Sequence, residues 1–119
     1  MRYLWVGPGG AVGSMARYAI GGRADQSAFP WATLGINLTG AFLLGLLLTV
    51  AAGRVSTEVT TPVAVGVLGG FTTFSTFAWE AFEHGRRGRV GLAVAYVAAS
   101  VISGLVAAAA GYALGRSLR

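Results

Sequence analysis

Hydrophobic and polar positions along this chain fall into four long apolar blocks separated by short charged or turn-rich connectors: about Tyr3 to Gly22, Trp31 to Gly53, Pro62 to Phe82 and Val90 to Gly115. Each block reaches the roughly 20 residues that cross about 30 Å of hydrocarbon at about 1.5 Å per residue. The second and fourth carry no ionisable side chain other than tyrosine, the first only Arg17 and the third only Glu80. None has a polar face broad enough for a soluble amphipathic helix, which favours spanning over lying on a membrane surface. The pattern predicts an all-α membrane protein with four transmembrane helices and short loops, in one domain over residues 1–119.

Composition agrees with that pattern. Of 119 residues, 55% are hydrophobic and 11% charged, where a soluble domain has roughly a quarter charged; the mean hydropathy is +0.66. There is no cysteine, which removes disulfides and thiolate metal sites. The first block is not expected to be a cleaved signal peptide, because glycines interrupt it and it ends in Arg17 and Tyr18 without a small-residue cleavage site. Nor is Gly7-Pro8-Gly9-Gly10-Ala11-Val12-Gly13 a dinucleotide loop, since the spacing is wrong and no strand precedes it. These small residues are expected to let helices approach closely.

The third block is interrupted where a spanning helix should be most regular. Gly69-Gly70-Phe71-Thr72-Thr73-Phe74-Ser75-Thr76-Phe77 puts glycines and hydroxyls at its middle, where freed backbone groups find no water. A helix broken there ends its first half in unpartnered carbonyls, a partly negative site suited to a hard cation such as sodium. The second half begins with free amides, suited to an anion.

Charge placement bears on assembly. Four spans put both termini and the second loop on one side, with Arg2, Arg54, Arg116 and Arg119, and leave Arg23, Arg86, Arg87 and Arg89 opposite. Such a balance gives no positive-inside bias apart from Arg17 near the end of the first helix. Insertion in both orientations makes an antiparallel dimer available, with its two-fold axis in the membrane plane. The two breaks would then meet at the axis, and pooled carbonyls would hold one buried cation.

Polar residues inside the blocks fall on stripes. Thr33 and Asn37 are four apart with Gly40 on the same face; Tyr96, Ser100 and Ser103 form another stripe; Thr72, Thr73, Ser75 and Thr76 surround the break. Together they suggest a narrow polar path of hydroxyl and amide donors. Donors suit an anion, and the lack of a carboxylate at mid-depth argues against cation or proton exchange. Phe74 and Phe77, on one face beside them, can turn positive ring edges toward a partly dehydrated anion.

At these residues the chain resembles the Fluc or CrcB-type fluoride channels. The likeness runs through Gly10-Ala11-Val12-Gly13-Ser14-Met15-Ala16-Arg17-Tyr18, Thr33-Leu34-Gly35-Ile36-Asn37-Leu38-Thr39-Gly40 and the motif from Gly69 to Phe77. The resemblance implies a dual-topology homodimer with two fluoride pathways and a central structural sodium ion, held by the backbone carbonyls of Gly69 and Thr72 from each subunit. It implies pore roles for Phe74, Phe77 and Asn37, a polar track of Thr33, Ser75, Tyr96 and Ser100 with Ser103 a weaker member, and a place near an aqueous vestibule for Arg17. Phe71 stands where many relatives have leucine. Glu80, one turn beyond Phe77, is a candidate for the pore mouth, where its charge would modulate anion passage, or for a solvated helix end with Glu83 and His84.

The implied activity is passive export of fluoride across a prokaryotic plasma membrane, with no enzymatic chemistry. Expected partners are fluoride, a second copy of the chain and lipid, with no nucleic acid. The alternative is a small dual-topology, proton-coupled multidrug exporter, but its first helix would need a proton-exchanging carboxylate, and here that helix offers only arginine.

Overall fold

The structure, a computed structural model, describes residues 2–21 and 29–119. Gly22, the end of the first expected span, and Arg23 of the charge balance lie outside the described residues. Every regular element among the described residues is helical: α1 (Arg2–Gly21), α2 (Trp31–Ala51), α3 (Thr57–Thr61), a π-helical segment (Pro62–Leu68), α4 (Gly69–Phe71), α5 (Phe74–Arg86) and α6 (Val90–Ser117). Among the described residues, three stretches are long and apolar enough to cross a membrane: Trp31–Ala51, Thr57–Arg86 taken through its break, and Val90–Ser117. The 20-residue α1 falls short in hydropathy, because Arg2, Arg17, Pro8 and five glycines dilute its apolar residues.

Two seams hold the molecule together, and both are built on small residues. In the first, α2 lies along α6. A methyl group added at Gly111 would stand 2.1 Å from the Phe42 carbonyl oxygen, and one at Gly45 would stand 2.5 Å from that of Ala108. In the second, α1 lies against the π segment and α4, where a methyl group on Gly13 would stand 2.1 Å from the Val67 carbonyl oxygen. Lipid is as apolar as leucine, so helices gain little from hiding leucines; close backbone approach and dispersion supply the attraction.

The sparse interior follows from the same physics. Leu34, Ile36, Ala51, Leu68 and Tyr96 are the buried hydrophobic residues among those described, while Leu105, Val106 and Ile102 on α6 stay exposed. A chain solvated by hydrocarbon has no need to hide them.

The third apolar block is a composite. It starts at Thr57 rather than Pro62, because Thr57-Glu58-Val59-Thr60-Thr61 is helical although polar. Pro62 has no N–H to donate back into that turn, and it opens the π segment. The helix stops where Thr72 (φ −82°, ψ 161°) and Thr73 (φ −150°, ψ 125°) are extended, then resumes as α5. The chain reverses after α5 at Gly88, whose φ of 83° is a left-handed conformation suited to glycine at a helix end.

Candidate functional site

The two extended threonines at the break would leave backbone groups stranded in an apolar medium, and the N–H of each is met by a named partner. Thr72 keeps its N–H on the Leu68 carbonyl at 3.0 Å, and its hydroxyl donates to that oxygen at the same distance. Thr73 can no longer bond within the helix. Its N–H donates to Oδ1 of Asn37 on α2 at 2.8 Å, and its carbonyl accepts from Asn37 Nδ2 at 3.0 Å. Its hydroxyl accepts the Thr76 N–H at 3.1 Å, capping the start of α5.

The first half-helix ends in carbonyls with no continuing turn. The Gly70 carbonyl accepts from Arg17 Nε at 3.3 Å and from the Ser14 hydroxyl at 3.5 Å, both on α1. Those of Gly69 and Thr72 belong to residues that border a cavity of about 410 Å³. Asn37, Phe74, Phe77 and Ser100 line the same cavity, together with Gly40, Leu44 and Leu68. The Ser100 hydroxyl oxygen is buried and has no hydrogen-bond partner among the described residues. Phe74 and Phe77 meet edge to face, centroids 5.9 Å apart at 61°, and Phe77 meets Tyr96 in the same way at 5.1 Å and 68°.

A cavity bordered by Asn37, Phe74, Phe77 and Ser100, beside a helix break, is the setting in which the sequence comparisons become informative. The family profile described as CrcB-like protein, Camphor Resistance (CrcB), matches residues 4–112. The chain belongs to the CrcB-like family. It is similar to a fluoride-specific ion channel FluC of Thermus thermophilus, 46% identical over 98% of this chain and 95% of that protein. The protein of the same name from Agrobacterium fabrum is 45% identical over 95% of this chain and 94% of its own length. That of Acidobacterium capsulatum is 38% identical over 99% and 98%.

In this CrcB-like chain the remaining candidate residues form a second group. Tyr96 is fully buried, and its hydroxyl donates to Glu80 Oε1 at 3.0 Å; Thr33 is also buried. Phe77, stacked edge-on against Tyr96, links this group to the cavity. Glu80 is only 8% exposed and borders a second hollow of about 460 Å³ with Trp79, His84, Arg86 and Arg87. A carboxylate so enclosed needs its tyrosine partner.

The other candidates are engaged locally. Ser75 pairs with the Thr73 hydroxyl at 3.4 Å. Ser103 donates to the Ala99 carbonyl of its own helix. Arg17, expected near a vestibule, reaches the end of the first half-helix. Sequence reasoning did not anticipate the tie between Asn37 and Thr73 or the caps from Ser14 and Arg17. The one available signal was Thr73 three residues before Thr76, the spacing of a helix N-cap.

Proposed function

We propose that this chain is a fluoride channel, passing fluoride down its electrochemical gradient and so lowering fluoride in the cytoplasm of a prokaryotic cell. The observation that carries this reading is the cavity beside the break: it is bordered by Ser100, whose buried hydroxyl has no partner among the described residues, and by Phe74 and Phe77, with no carboxylate among the described residues of its lining. Fluoride is small and tightly hydrated, so passage requires closely set donors that replace its water. Ser100, the Asn37 amide and the edges of Phe74 and Phe77 are such donors. The relatives named as fluoride-specific channels match over nearly their whole length, which narrows a small anion to fluoride.

The working unit is a homodimer of two oppositely inserted copies, each crossing the membrane four times, with α1 as the first span. The even distribution of arginines supports dual insertion. Phe74, 78% exposed on the protomer although it lines the cavity, supports a second copy closing the path. Gly69 and Thr72 would hold a sodium ion through their carbonyls; both stand at a helix C-terminus, oxygen donors suit a hard cation, and the neighbouring Gly70 carbonyl is already engaged by α1. Sodium there would supply positive charge and join the two breaks.

Expression in a bacterial strain that has lost its own fluoride exporter tests the proposal. The channel restores growth on fluoride and leaves sensitivity to cationic drugs unchanged. Drug resistance without fluoride resistance would mark a proton-coupled exporter and overturn it.

A further inference from the structure

The Asn37 side chain is bonded twice to the backbone of one residue 36 positions away, and those bonds fall on Thr73, one of the two extended residues of the helix break. We propose that Asn37 is the positioning residue of the pathway: a side-chain amide standing in for a strand partner, clamping Thr73 in its extended conformation and so fixing both the cavity and the two half-helix ends. This inference rests on the channel reading above and adds how its site is held.

The bond inventory supports it. Thr73 offers one N–H and one carbonyl, and the amide of Asn37 meets both, at 2.8 Å and 3.0 Å. An amide plane with one acceptor and one donor in a row reproduces the edge of a peptide group. Its orientation is determined, because the Thr73 N–H needs the oxygen and the Thr73 carbonyl needs the nitrogen.

Nothing else among the described residues takes over if the amide is lost. The Thr73 hydroxyl is committed to capping α5, and the adjoining Thr72 N–H and hydroxyl both go to Leu68. Water is scarce at that depth, so a released Thr73 backbone would seek helical bonds and close the break. Gly40, one turn along α2 from Asn37, leaves room for Thr72: a methyl group there would stand 2.0 Å from Thr72 Cγ2. The same face of α2 therefore both ties down one threonine of the break and makes space for the other.

Because the clamp uses Oδ1 and one N–H, a single Nδ2 proton remains, on a residue that borders the cavity. Asn37 is thus a positioning residue first, with at most one proton for an ion.

Wild type, Asn37→Asp and Asn37→Leu distinguish this role. The proteins are reconstituted in liposomes, fluoride efflux is followed from about pH 8 to about pH 5 against protein-free vesicles, and Thr73 amide exchange is measured by NMR on the same proteins. An enclosed carboxyl stays protonated to higher pH than a free one; its O–H then donates to the Thr73 carbonyl while its C=O accepts the Thr73 N–H. The expected result is an efflux loss of about tenfold or more for Asn37→Leu at every pH, as for a buried backbone pair left without partners, with faster Thr73 exchange. Asn37→Asp matches it near pH 8 and recovers both efflux and exchange protection as pH falls. Wild-type efflux from Asn37→Leu, or unchanged Thr73 exchange in it, would overturn the clamp. Restored protection without restored efflux would overturn the positioning role and make the amide a contact of the ion. If wild type itself moves no fluoride, the channel reading fails, and Thr73 exchange alone still decides the clamp.

Discussion

Ser100 and Ser103 lie three residues apart on α6, and the sequence offers no reason to rank them beyond a stripe of polar positions. Their bonding separates them. Ser103 is tied to its own helix at Ala99, whereas the Ser100 hydroxyl is buried without a partner among the described residues, on a residue that borders the same cavity as Phe74 and Phe77. Replacing Ser100 with alanine removes a donor from the path and is expected to slow fluoride efflux several-fold; Ser103→Ala leaves it within about twofold of wild type. Efflux from liposomes loaded with each variant checks the pair. Six residues named from sequence, Asn37, Gly69, Thr72, Phe74, Phe77 and Ser100, border one cavity, and the polar ones stood out because donors in an apolar block are costly unless partnered. What each one bonds was not legible. The Asn37 to Thr73 tie depends on how α2 crosses the third block, and that crossing is a property of packing, not of local spacing.

Among the elements, the break was legible and the π segment before it was not. Two glycines followed by two threonines mark a helix end in any medium. A change from i→i+4 to i→i+5 bonding leaves no mark on hydrophobic periodicity, and Pro62 is its only sequence sign. The polar start at Thr57 was missed for a related reason: helix continuation outweighed the composition of a single turn. The seam between α1 and the π segment gives a test at this scale. Gly13→Ala forces a methyl group toward the Val67 carbonyl oxygen, 2.1 Å away, and overpacking of this sort costs about 1–3 kcal/mol. Its thermal unfolding midpoint in detergent is expected below that of wild type. Gly91→Ala, with nothing within 4 Å, should leave the midpoint unchanged or raise it, since alanine favours helix by about 1 kcal/mol. Equal losses from both would count against a glycine seam.

On the scale of the whole molecule, the chain leaves Phe74 and most of α6 uncovered, and the four-span arrangement proposed above sets four arginines against four, Arg17 aside. Dual insertion makes two demands of such a chain. A cysteine placed at the C-terminus should be labelled from outside in about half the copies in native membranes. Extra lysines added beyond the C-terminus should bias insertion one way and abolish fluoride resistance, which returns when an oppositely biased copy is co-expressed. Uniform labelling with resistance intact would rule out the antiparallel pair.

Passive fluoride passage through the donor-lined cavity is the claim from which the rest follows. It is tested most directly by loading purified protein into fluoride-filled liposomes, balancing charge with a potassium ionophore, holding pH equal on both sides, and reading release with a fluoride electrode. The account gives rapid fluoride release under these conditions, with chloride retained in parallel vesicles. Fluoride that stays inside until detergent is added, or that leaves only when a proton gradient is imposed, contradicts it.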